Sequence, residues 1–133
     1  MTTTTTSLEL IQDLYAAFGR GDTGYILEHL SDDCRWVSPG EGLPNAGVFE
    51  GKAGAAQFFE RLAASEDITR FEVREFFVNG DSVVALGHEE CRSKLTGRTA
   101  QTNFAMLFRV REGKVTNFEG FFDTAAYARM HQA

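Results

Sequence analysis

Ile11, Leu14, Tyr15 and Phe18 recur at helical spacing and share one face of the segment LELIQDLYAAFGRGD. Ser7 stands ahead of that face and can cap the helix, while Gly19 and Gly21 stop it. Asp22 is placed to cap a second, shorter helix carrying Ile26, Leu27 and Leu30, and Ser31-Asp32-Asp33 turns the chain out of it. In CRWVS, residues 34–38, the period drops to two, so Cys34, Trp36 and Ser38 share one face of a short strand. A Gly/Pro-rich loop, PGEGLPNAGVFEGK, leads to a third helix over 52–64 that turns Ala55, Phe58, Phe59 and Leu62 inward. Beyond it, Asn79-Gly80-Asp81, Thr96-Gly97 and Glu112-Gly113 are turn signals separating four runs rich in Phe and Val, the pattern of an antiparallel meander. A short helix over 124–131 closes the chain.

Segregated helices and strands predict an α+β fold, with one domain over 7–133 behind a disordered tail, residues 1–6. A curved sheet with helices packed on its concave side leaves a cavity open at one end, a natural small-molecule site. The length, 133 residues, suits one such domain. Twelve Phe residues supply most of the 12% aromatic content, and they suit the lining of an apolar pocket as well as a core. MTTTTTS lacks the basic start and apolar centre of a signal peptide. No apolar run approaches the roughly 18 residues of a membrane helix.

Charge and chemistry narrow the partners. A net charge of -6, from 13 Lys plus Arg against 19 Asp plus Glu, with no basic cluster, argues against nucleic acid or an anionic membrane surface. Cys34 and Cys91 form neither a CxxC motif nor a framework, and read as free thiols in a reducing cytoplasm. His29, His88 and His131 are too scattered for a metal site, and no glycine loop follows a strand to open a helix, so neither metal nor cofactor is expected.

The motifs LYAAFGRGD, LSDDCRWVSPGEG, FEGKAGAAQFF, VVALGHEECRSKLTGR and FRVREGKVTNFEGFFDTAAY, in that order and spacing, carry a family resemblance. The chain resembles the SnoaL-like and ketosteroid isomerase-like branch of the nuclear transport factor 2-like superfamily from about residue 7 to 130. The resemblance implies a cone-shaped, curved, mixed but mostly antiparallel sheet with N-terminal helices on its concave face. It also implies a deep apolar pocket and a homodimer formed through the outer face of the sheet. Fold alone does not choose among the isomerases, cyclases, hydrolases, dehydratases and binding domains of this superfamily.

Position by position, the isomerase general base, an Asp before Pro, is matched by Ser38, and the protonated oxyanion Asp by Ala105. The isomerase tyrosine falls at Leu14 or Tyr15. Limonene-type epoxide hydrolases hold water with a Tyr and an Asn, matched here by Trp36 and Ser38. Their Arg–Asp pair is matched by His88 and Glu90, and their final Asp by Asp123, which also resembles the acid/base Asp of SnoaL-like cyclases. Glu119 stands where relatives carry Arg, which removes a cation from the pocket mouth. Asp123 before Thr-Ala-Ala reads equally as a helix cap and, beside Phe118, Phe121 and Phe122, as a desolvated proton-transfer group. His88 and Glu90 share a strand face with Val84 and Leu86, either as a pocket dyad or facing a dimer partner or solvent. Asn103, in phase with Gln101, either donates to a ligand carbonyl or makes a sheet or dimer contact. Ser38 is either pocket lining or catalytic.

The expectation is a cytoplasmic protein binding an apolar small molecule. If catalytic, Asp123 transfers the proton with His88 and Glu90 in support. Tyr15, Trp36, Ser38, Phe58, Phe59, Asn103, Phe104 and Phe122 contact the ligand. Chemistry of cyclase, epoxide hydrolase, dehydratase or isomerase type on a polyketide-like or terpenoid-like compound is one reading. A non-catalytic ligand-binding or dimerisation module is the other.

Overall fold

The computed structural model describes residues 6–133. The N-terminal tail expected over 1–6 therefore lies outside the described residues except for Thr6. Thr6, rather than Ser7, caps the first helix, α1 (Ser7–Gly19): its hydroxyl accepts the Glu9 N–H and the Glu9 side chain reaches back, a capping box. The pair works because Glu9 sits at the third helical position, a register that a cap at Ser7 would shift by one. Asp22 caps α2 (Thr23–Glu28) by accepting the Tyr25 N–H at 3.1 Å.

The strand expected at 34–38 starts earlier, as β1 (Leu30–Ser38). Within the Gly/Pro-rich loop a short edge strand, β2 (Gly47–Glu50), pairs antiparallel with β1. It is four residues long and has no alternation a reader could detect, so the loop composition concealed it. Then follow α3 (Gly51–Ser65), β3 (Glu66–Asn79), β4 (Ser82–Ser93), β5 (Thr99–Arg111), β6 (Lys114–Phe121) and α4 (Thr124–Met130). The sheet has six strands in the order β2-β1-β6-β5-β4-β3. Every neighbouring pair is antiparallel except β1 with β6, which is parallel.

Register shifts in β1, β3 and β6 mark bulges, which bend strands and tighten their twist. At the β5–β6 turn, Glu112 (φ 51°) and Gly113 (φ 74°) are both left-handed, as a two-residue hairpin turn requires. The main core lies between one sheet face and the helices. Leu10, Ile11 and Leu14 of α1, Ile26 of α2 and Ala55 and Phe58 of α3 meet Cys34, Trp36, Val83, Phe108 and Phe118 there. Each such aliphatic or aromatic side chain removed from water contributes about 1.5–3 kcal/mol. A smaller cluster of Leu43, Cys91, Tyr127 and Met130 seats α4 against the far end of the same face.

Candidate active site

Strand alternation decides what faces the helices. Along β4, buried residues are the odd-numbered ones, from Val83 and Ala85 to Glu89, Cys91 and Ser93. Their partners on β5, Thr102, Phe104 and Phe108, are buried by the same alternation. The inner face of the sheet and helices α1–α3 enclose a half-open cavity of about 100 Å³. Its wall is mostly aromatic. Trp36 stacks on Phe118 with ring centres 4.0 Å apart, and touches Phe58 and Phe59 at 5.7 and 5.5 Å. A groove of about 480 Å³ adjoins it between α1 and β3 and shares Tyr15, Phe18, Ile68 and Phe71 with the cavity.

Tyr15, Trp36, Ser38, Phe58, Phe59 and Phe122 all line this cavity. Phe104 does not. It is buried behind the wall, stacked on the lining residue Phe71 at 5.0 Å. Asn103 is exposed on the outer face, where its Oδ1 lies 2.9 Å from His88 Nδ1. His88 and Glu90, 3.6 Å apart, lie on that outer face as well. There they join a surface ladder in which Arg70 bonds both Glu90 and Glu72, and Arg74 bonds Glu72. They follow from strand parity: Glu89 between them points inward, so both must point outward. Asp123 is exposed and its Oδ1 accepts the Ala126 N–H at 3.1 Å, capping α4. The expected constellation of Asp123, His88 and Glu90 is thus corrected: none of the three lines the cavity.

The carboxylates that do line it are Glu66 and Glu89, 5% and 7% exposed. Glu66 opens β3 directly after α3, so the helix–strand junction points it inward. Burial, aided by the charge of Glu89, pushes the Glu66 carboxyl up to about 7. Burial also pushes Glu89 up, opposed by the hydrogen bond that Tyr127 Oη donates to its Oε1 at 2.7 Å. Tyr127 Oη lies 3.2 Å from Cys91 Sγ, and burial raises both of these groups. On the far side of Glu66, His131 Nε2 stands 3.4 Å from Oε2. Asn45 completes the polar lining, and among the described residues no Lys, Arg or His lines the cavity. Among the described residues, no three His, Cys, Asp or Glu side chains gather as a metal site.

One signal for Glu89 was present in the sequence. The strand face Val83, Ala85, Gly87, Cys91 is small and uncharged apart from that one residue. Nothing in the sequence pointed to Glu66 or Asn45, and only the fold brings Tyr127 to Glu89 and His131 to Glu66.

The sequence matches the SnoaL-like domain family over residues 11–118. The structure is similar to an NTF2-like protein from Burkholderia xenovorans, with 32% identity, 95% of each chain covered and a TM-score of 0.86. It is also similar to TerC co-crystallised with polyporic acid, at 32% identity over 96% of this chain and 98% of that one, TM-score 0.82. An uncharacterised protein of Mycobacterium bovis is 27% identical over 120 residues, 90% of this chain and 91% of its own.

Proposed function

The chain belongs to the SnoaL-like domain family, and from that premise we propose that its cavity binds an apolar small molecule and transforms it by cofactor-free acid/base chemistry. The observation that carries this reading is the pair of buried carboxylates, Glu66 and Glu89, in a largely apolar wall. A carboxyl raised to about 7 is near-equally acid and base at neutral pH, which suits proton transfer. With two carboxylates and, among the described residues, no cation lining the cavity, an uncharged ligand is favoured over an anion. An engineered apolar cavity of about 150 Å³ holds benzene. A polyketide-like or terpenoid-like ligand larger than one ring therefore extends into the groove between α1 and β3. Cyclisation, epoxide opening, dehydration and isomerisation all fit such a site.

The protein works in the cytoplasm as a homodimer through the outer sheet face. Phe77 and Phe121, 53% and 50% exposed on that face, support the pairing. The second reading, a non-catalytic binding module, is favoured by Ser38 and Ala105 standing where the isomerase carboxylates belong.

Trp36 is the single tryptophan and lines the cavity, so its fluorescence reports binding. A panel of epoxides, cyclic enones and uncharged polyketide mimics should quench or shift it. A compound that turns over in the native protein should lose about 100-fold or more of its rate in Glu89→Gln. Tight binding with no turnover across the panel would favour the module reading, and turnover untouched by Glu89→Gln and Glu66→Gln would overturn the catalytic one.

A further inference from the structure

His131 follows the last turn of α4, and its side chain is 8% exposed. Its Nδ1 lies 2.8 Å from Ser93 Oγ. That hydroxyl also accepts the backbone N–H of Leu95 at 3.1 Å and of Thr96 at 3.3 Å. Two accepted bonds use both lone pairs of a hydroxyl, so the one Ser93 hydrogen is directed at Nδ1. Nδ1 is therefore an acceptor, and the ring proton sits on Nε2. Nε2 faces Glu66 Oε2 at 3.4 Å, outside hydrogen-bond geometry, and neither atom has a hydrogen-bond partner among the described residues, so each is the other's nearest available complement. A second proton on His131 would displace the Ser93 hydrogen, at a site where burial already disfavours imidazolium.

Glu89 and Cys91 also reach Glu66 from β4. The Tyr127 hydroxyl hydrogen is committed to Glu89, while the Cys91 thiol, a weak donor beside that hydroxyl, also holds the Glu66 carboxyl down. Each cavity carboxylate thus faces a group from the last turns of the chain, Glu89 the Tyr127 hydroxyl and Glu66 the His131 ring.

Resting on the acid/base reading above, we propose that Ser93 and His131 form a positioning relay that fixes the neutral imidazole as a donor to Glu66 and makes Glu66 the proton acceptor of the cavity. His131 neither gains nor loses a proton during turnover. It holds one carboxylate oxygen, and the residue it holds lines the cavity.

5-Nitro-1,2-benzisoxazole tests the relay without knowledge of the natural substrate. A carboxylate removes its ring C–H proton, the C–H electron pair completes a nitrile, and the N–O bond breaks with its pair on oxygen as a coloured phenolate. The proton then passes from Glu66 to water. Wild-type protein is expected to accelerate this opening, with a rate that rises as Glu66 ionises. Glu66→Gln should lower it about 100-fold or more. His131→Phe should move the midpoint of the pH profile upward, because the carboxylate loses its donor, and His131→Gln, which keeps a donor, should bring it back toward wild type. In ¹⁵N spectra the His131 ring, identified by its loss in His131→Gln, should keep a bare Nδ1 and a protonated Nε2 between about pH 5 and 8.

A His131 that gains a second proton in that range, or carries its proton on Nδ1, would overturn the relay even if the cavity were catalytic. So would an unchanged rate in Glu66→Gln or an unmoved midpoint in His131→Phe. Failure of the wild type to open the probe at any pH would sink the acid/base reading, and the role of Glu66 with it, whatever the tautomer.

Discussion

Glu89, and not Asp123, holds a buried position in the cavity wall. Asp123 stands among Phe118, Phe121 and Phe122, yet its carboxylate caps α4 in the open, and its own N–H is held by Thr102 Oγ1 at 2.9 Å. Replacing it by Ala should cost about 1 kcal/mol of stability in denaturant unfolding. Asp123→Asn keeps the cap, and should leave both stability and any turnover near wild type. A large loss of turnover with stability intact in Asp123→Asn would return Asp123 to the chemistry. Part of the aromatic lining was legible, because Trp36, Phe58 and Phe59 lie on the inward faces that helical and strand periods predict, whereas Phe104 is buried behind the wall. The carboxylates were not. On β4 a His–Glu pair at even positions competes with a single Glu at odd positions, and local pattern does not rank the two.

At the scale of elements, β4 and α4 carry most of what the cavity needs. β4 places small residues beneath the aromatic layer. At Gly87 an added Cβ would collide with the Glu72 carbonyl oxygen and the Phe104 ring. Backbone cannot yield as a side chain can, so Gly87→Ala should destabilise by about 1–3 kcal/mol in denaturant unfolding. It should also disturb the Phe104–Phe71 stack that supports the wall. Unchanged stability in that variant would show that the inner layer is looser than described. The contribution of α4 could not be read ahead of the fold. Tyr127 meets Glu89, and His131 meets Ser93, across 38 residues of sequence in each case. Such pairings depend on where β5 and β6 deliver the last helix. Element types were legible from period and turn residues, whereas β2 was hidden because four edge residues in a Gly/Pro-rich loop have no period to show.

For the whole molecule, the acidic balance and the curved sheet serve one arrangement. A hollow with largely apolar walls and two buried carboxylates faces inward, and the ion pairs of Arg70, Arg74, Glu72 and Glu90 lie on the outer face. Burying Glu66 has a thermodynamic sign. Its native carboxyl titrates near 7 against an ordinary 4.5, so the native state holds a proton that the unfolded chain releases across that window. The stability owed to this group is therefore full below about pH 4.5 and falls as pH rises toward 7. The same upward displacement makes Glu66 a proton-transfer group at neutral pH. A ¹³C-carboxyl titration of Glu66 in the wild-type protein, assigned by its loss in Glu66→Gln, tests the idea of a desolvated carboxylate in an apolar hollow most directly. The midpoint should lie near 7, and a midpoint at the ordinary 4.5 would contradict it.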